Sequence, residues 1–391
     1  MRIGVDASCI ANRRGYGRFA RELITAMAER SPDDEFILFA DDRAASVWTG
    51  TTTNTRLTVV PQDVSPTIAA AADSSRSPGD MLRFTRAVSR ANLDVFFSPS
   101  VYTYFPLPLG LRAVVTLHDA IAERFPEMTL PSKRARLFWN LKTRLALIQA
   151  KLVLSVSDFA ASEIADVHGI PRERIRVAVE APSAIYRPSD DIAQIDSVAR
   201  RYGVREGERW FVYVGGFNPH KHVDLIVKAH ASVVSGIDHG PRLLLVGTRD
   251  SDVFHGAGAR IVDAITACGT ADLVEWTGFV PDEELRHLLS GAIALLLPSE
   301  SEGFGLPAIE AAACGTPVVA TNASPLPELL KGGGYFVDPG DEHAIARAMV
   351  SLMTDEQDRL ARGARARERA GRLSWSAAAD ATLSALREAA A

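Results

Sequence analysis

Two carboxylates eight positions apart, Glu302 and Glu310, stand out because of what lies between them. Residues 299–315 read Ser-Glu-Ser-Glu-Gly-Phe-Gly-Leu-Pro-Ala-Ile-Glu-Ala-Ala-Ala-Cys-Gly, a loop with Gly303, Phe304 and Gly305 that runs through Leu306 and Pro307 into a helical pattern and stops at Gly315. Glycines let a backbone turn and let a ligand come close, proline suits a first helical position, and the free N–H groups of a helix start attract anions. A carboxylate beside a phosphate site does not bind the phosphate; it accepts hydrogen bonds from neutral hydroxyls, such as those of a ribose and a sugar ring. The combination suggests a nucleotide-sugar ligand. The alternative is plain: Glu302 caps a turn and Glu310 is a solvated helix charge.

Three further groups have chemical potential. His118 and Asp119 end the apolar run Val114-Val115-Thr116-Leu117, and the carboxyl end of a buried strand is where α/β sheets hold ligands. Gly15-Tyr16-Gly17-Arg18-Phe19-Ala20 fits the GxGxxA of a dinucleotide-binding turn, but that fingerprint sits directly after its strand, whereas residues 8–14 intervene here. Residues 128–157 hold no Asp or Glu yet carry Lys133, Arg134, Arg136, Lys142, Arg144 and Lys151 among Leu137, Phe138, Trp139, Leu141, Leu145 and Ile148. Such a cationic amphipathic helix suits an anionic lipid surface or a lipid-diphosphate acceptor, or else it packs on the core with a solvated basic face. Arg83, Arg86 and Arg90 would add to the same positive half.

The elements that must position these residues are legible from periodicity. Short β-rich runs alternate with helical patterns: 2–7, 35–40, 56–61, 93–98, 113–117, 151–156 and 174–179, then 210–214, 242–246, 273–276, 293–297, 318–320 and 335–337. Each set predicts a doubly wound parallel sheet. Between them, residues 181–208 are polar and proline-bearing, and predict a linker with a short helix at 192–202. The reading is α/β with a first domain over 1–187, a second over 188–373, and a terminal helix over 374–391 that crosses back to the first. With 391 residues, 47% hydrophobic and 23% charged, disorder and small stapled folds are excluded. Three scattered cysteines offer neither a disulfide framework nor a zinc site, and no His/Glu spacing suggests another metal. No signal peptide or membrane span is evident, so a cytoplasmic protein, with peripheral attachment to the inner membrane face as an option, is expected. The net charge of −5 argues against nucleic acid as a partner, although the first half is net positive.

The 299–315 block resembles the donor-binding signature of retaining glycosyltransferases of family 4, whose GT-B fold consists of two Rossmann-like domains facing across a cleft. That signature is Glu, seven residues, Glu, enclosing Phe-Gly-Leu-Pro; Glu302, Phe304 to Pro307 and Glu310 match it. The resemblance implies a hexosyltransferase that needs no metal or other cofactor, moving a sugar from a nucleotide diphosphate to a glycan or lipid-linked acceptor, with GDP-mannose the first choice by similarity to bacterial mannosyltransferases. It implies that Lys221, in the glycine loop Gly215-Gly216-Phe217-Asn218-Pro219-His220-Lys221, holds the donor diphosphate. Gly216 stands where the family often has a second cation, and Arg249 is the candidate replacement, a solvated loop Arg being the other reading. Phe279 and Val280 resemble the loop against the nucleotide base. Gly15, Tyr16, Gly17 and Arg18 resemble the loop near the donor phosphates and the acceptor. His118 would contact the donor sugar near the reacting carbon and Asp119 would orient its ring. A nucleotide-sugar epimerase on the same plan and a non-catalytic nucleotide-sugar binder are the rival readings, with a nicotinamide dehydrogenase behind them.

Overall fold

Runs of Val, Ile, Leu and Phe without polar alternation are satisfied only as strands covered on both faces, and those of this chain form two all-parallel sheets. The computed structural model describes residues 1–12, 15–50, 52–69, 76–248 and 257–391. Their contacts divide into two units, Met1–Glu180 with Ser374–Ala391, and Ala181–Leu373.

In the first unit the described strands are β1 (Arg2–Asp6), β2 (Glu35–Ala40), β3 (Thr55–Val59), β4 (Val95–Ser98), β5 (Ala113–Thr116), β6 (Leu152–Ser155) and β7 (Ile175–Val177), in the order β3-β2-β1-β4-β5-β6-β7. The second unit holds β8 (Trp210–Val214), β9 (Arg242–Val246), β10 (Val274–Gly278), β11 (Leu295–Leu297), β12 (Val318–Thr321) and β13 (Gly334–Val337), ordered β10-β9-β8-β11-β12-β13. Each unit therefore starts in mid-sheet, winds to one edge, and returns to wind the other way. The loops after β1 and β4, and after β8 and β11, leave neighbouring strands in opposite directions and open a crevice at their carboxyl ends.

The division falls after Glu180 and not at 187. The Tyr186 hydroxyl donates to Asp282 Oδ1 at 2.8 Å and the Ser189 amide to Ser290 Oγ at 3.1 Å, so the proline-bearing connection belongs to the second unit. Past it, Asp191 caps the helix Ile192–Arg201. At the far end of the chain, the helix Trp375–Ala390 packs in the first unit against the helix Gly15–Arg30 and the strands β4 to β7. It buries Leu383 and Leu386, each worth about 1.5–3 kcal/mol, and Arg30 clasps Asp380 with two 2.9 Å bonds.

The helix Leu306–Ala313 begins without a side-chain cap. Gly305 precedes it at φ 84°, and a Cβ there would stand 2.8 Å from Leu326 Cδ1. Pro307 takes the second helical position and not the first. Gly305→Ala should cost about 1–3 kcal/mol through left-handed strain and this overlap, read as a lowered midpoint in urea denaturation at unchanged slope.

Candidate functional site

Of the residues singled out from the sequence, the crevice of the second sheet brings Lys221 and Glu302 together. The loop after β8 turns through Pro219–Lys221, and the loop after β11 carries Ser299 to Gly305. Lys221 Nζ lies 2.7 Å from Glu302 Oε1, and Ser299 Oγ donates to the same oxygen at 2.6 Å. Both side chains of the ion pair are largely buried, at 19% and 10% exposure. Two more links stitch the loops: His222 Nε2 stands 2.8 Å from Glu300 Oε2, and the Glu300 amide donates to the His220 carbonyl at 2.7 Å. His222 adopts φ 52°, an uncommon conformation for a residue with a side chain, and ends the turn where the helix Val223–Val234 begins.

Glu310 is buried, so it is not a solvated helix charge, and the Glu302 carboxylate accepts from Lys221 of the other loop as well as from Ser299 within its own turn. Gly303, Phe304, Gly305 and Leu306 are buried between them. The Gly216 carbonyl accepts from the Tyr213 hydroxyl. Gly247 and Gly278 meet through a 3.0 Å backbone bond where β9 and β10 end, and next to it Phe279 is half exposed while Val280 is buried. Arg249 lies outside the described residues.

In the first unit, His118 follows β5. Its Nε2 donates to the Pro99 carbonyl at 3.0 Å, its Nδ1 faces Glu180 Oε1 at 3.5 Å, and the ring meets the edge of Phe19 at 4.8 Å. Asp119 Oδ1 accepts the Ile121 amide and so starts the turn Ile121–Arg124. Gly15, Tyr16, Gly17 and Arg18 form the opening turn of the helix Gly15–Arg30; a Cβ on Gly17 would overlap the Asn12 carbonyl, so glycine permits the close approach. Tyr16 stacks on Tyr102 at 5.0 Å.

Lys133, Arg134 and Arg136 are exposed on the helix Lys133–Gln149, and Arg136 lies 3.7 Å from Glu127. Of the apolar residues expected either in the core or on lipid, Trp139 is half-buried, and Leu137, Phe138, Leu141, Leu145 and Ile148 are 39–69% exposed and not in the core. Arg83 does not extend this basic face, because Asp63 and Asp80 hold it.

Sequence reasoning missed Ser299, Glu300, His222 and Glu180. His222 and Glu300 stand beside residues already singled out, and that adjacency was the only signal; Glu180 had none.

Known proteins place this architecture. The family model described as "Glycosyltransferase Family 4" matches residues 13–178, and "Glycosyl transferases group 1" matches 194–369. The O-antigen chain mannosyltransferase B of Escherichia coli is 32% identical over 284 residues, 72% of this chain and 71% of that protein. The D-inositol 3-phosphate glycosyltransferase of Thermobifida fusca is 33% identical over 199 residues, 49% and 45% of the two chains. Among solved structures, sucrose-phosphate synthase from Thermosynechococcus elongatus superposes with a TM-score of 0.76 at 20% identity, covering 99% of this chain and 98% of that one. Anabaena HepE in complex with UDP-glucose gives 0.71 at 19%, covering 98% and 99%. Two doubly wound units and these matches define an enzyme of the GT-B class. The chain belongs to glycosyltransferase family 4, and neither the epimerase nor the non-catalytic reading is favoured.

Burial holds His220, in the loop beside Lys221, well below the usual imidazole value, and the charges of Lys221 and His222 add to the effect. The folded chain thus stays neutral there while the unfolded chain takes up a proton below about pH 6.5. Its contribution to stability is full above that pH and is lost on acidification, by up to about 1.4 kcal/mol per pH unit. Urea midpoints at pH 7.5 and 5.5 should show the drop, and His220→Gln, which cannot titrate, should show a smaller one.

Proposed function

We propose that this glycosyltransferase transfers a hexose from a nucleotide diphosphate to an acceptor hydroxyl with retention of anomeric configuration and without a metal ion, in polysaccharide or lipid-linked glycan assembly. The observation that carries the reading is the meeting of Lys221, Glu302 and the start of the Leu306–Ala313 helix in one crevice, with Glu310 buried inside that helix. Lys221 and the amides of 303–306 neutralise the departing diphosphate, where the transition state develops most charge. To do so, the Lys221 ammonium shares itself between Glu302 and the phosphate, and Glu302 turns its other oxygen to a sugar hydroxyl. Glu310 receives the ribose, Phe279 and Val280 border the base, and His118 contacts the sugar. The bond from the anomeric carbon to the leaving phosphate breaks, the acceptor oxygen bonds to that carbon on the same face, and its proton passes to the phosphate.

GDP-mannose is the first donor to try, because the O-antigen relative is a mannosyltransferase by name. A thermal-shift screen against GDP-, UDP-, dTDP- and ADP-sugars tests it, since a ligand that binds only the folded state raises the melting temperature. A selective rise with GDP-mannose is expected, and no rise with any donor overturns the site. Lys221→Ala should lower kcat by about 10²–10³, and Glu310→Ala should weaken donor affinity. Wild-type values for either would remove the corresponding role.

The acceptor side faces an anionic membrane through the helix Lys133–Gln149, whose exposed apolar residues stand beside exposed Lys133, Arg134, Arg136 and Arg144. Leu109, 98% exposed, sits on the loop that Leu107 ties to Gln149 at the end of this helix. Among the described residues no helix is long and apolar enough to cross a membrane. The protein should co-sediment with phosphatidylglycerol-containing vesicles more than with pure phosphatidylcholine, and less in high salt. Combined Leu137→Ser, Leu141→Ser and Ile148→Ser should abolish the association; persistence would reject this face.

A further inference from the structure

The chain passes between its two units at two points, after Glu180 and after Leu373. Both points bear on the same imidazole. Glu180, the last residue before the first crossing, is buried with Oε1 at 3.5 Å from His118 Nδ1. Trp375, two residues beyond the second crossing, meets Phe19 edge-on at 6.0 Å, and Phe19, wholly buried, meets the His118 ring at 4.8 Å and 83°. The remaining ring nitrogen is fixed by the Pro99 carbonyl, a group that only accepts, so Nε2 carries a proton and Nδ1 is the atom presented to Glu180.

Trp375 is not free to drift. Ser374 caps its helix through the Ala377 amide, and that helix is anchored by Arg30–Asp380 and Arg176–Glu388. Its indole Nε1 is buried with no hydrogen-bond partner among the described residues. A buried unpaired donor is unfavourable, so hydrogen bonding does not account for an indole at this position, whereas ring contact with Phe19 does.

We propose that Glu180 and Trp375 are positioning residues that clamp the His118 ring to the two chain crossings, Glu180 directly and Trp375 through Phe19. Whatever arrangement the units take, the crossings are the only covalent joints between them, and a change of backbone at either one is delivered to His118 within one or two side-chain contacts. The ring orientation thereby follows the state of both joints. The consequence for turnover rests on the role of His118 proposed above; the clamp itself does not.

The test uses the full chain with ¹³C,¹⁵N-labelled histidine, the His118 signals being assigned with His118→Asn. Glu180→Gln and Trp375→Leu should each move the His118 ring signals and leave most of the other eight histidines in place, while Trp375→Phe, which keeps an aromatic ring against Phe19, should move them least. Unmoved His118 signals in Glu180→Gln and Trp375→Leu overturn the clamp, and should Trp375→Leu fail to fold, Glu180→Gln and Trp375→Phe decide alone. Kinetics with GDP-mannose, or with the donor selected by thermal shift, supply the second readout. Each of the two displacing variants should lower kcat about tenfold with KM within twofold, and neither should lower it further in a His118→Asn background. Displaced ring signals with unchanged turnover would keep the clamp and reject His118 as a contributor to transfer.

Discussion

Reversal of winding direction in a parallel sheet is the constraint on which everything else here depends. Strands buried on both faces expose polar backbone only at their ends, and at most ends the connection simply runs on to a helix beside the next strand. Among the described strands, only β1 with β4 and β8 with β11 are neighbours that send their chains to opposite sides, leaving room for something other than protein. The Lys221 and Glu302 loops are neighbours for that reason, although eighty-odd residues separate them in sequence. In the first sheet the same reversal brings Thr103, after β4, to the buried carboxylate of Asp6 at the end of β1, with a 2.8 Å hydrogen bond.

What the reversal brings together, electrostatics must then hold. The ammonium of Lys221 and the carboxylate of Glu302 would each be costly to bury alone, and together, with the Ser299 hydroxyl, they satisfy one another. The neighbouring His222–Glu300 contact ties the same two loops one residue further along the first and two residues earlier in the second. The crevice is thus pre-formed by its own opposite charges. On the proposed reading, a diphosphate would meet a cation already fixed in place, and the reorganisation required would be a redistribution of hydrogen bonds around Lys221.

Much of this was legible in the sequence, and the reasons are physical. Buried parallel strands read as unbroken apolar runs, so 35–40, 210–214 and 242–246 coincide with β2, β8 and β9, and the others differ at their ends by a residue or two. The Glu302 and Glu310 loop was legible because glycine and proline mark backbone constraints locally. The boundary at 187 was misplaced because proline and charge signal a connection but not which side it packs on; Tyr186 and Ser189 decide that through partners about a hundred residues away. Glu180 left no trace for the same reason, since a carboxylate that meets a histidine across a fold carries no local pattern. The helix Lys133–Gln149 was ambiguous in principle: amphipathic periodicity says that one face is apolar, and only packing says whether that face is covered.

The terminal helix has one more implication, which concerns the order of events at the ribosome. Trp375–Ala390 completes the first unit but is synthesised after the whole of the second. Until it arrives, the surfaces of the Gly15–Arg30 helix and of β4 to β7 that it covers stand open to water, and the N-terminal unit is unfinished while its successor folds. The nascent chain must therefore tolerate an uncovered surface for the time taken to translate nearly two hundred residues, about ten to forty seconds at ordinary elongation rates. Interdependence of this kind makes the two units a single product of biosynthesis even though each has its own sheet and its own core.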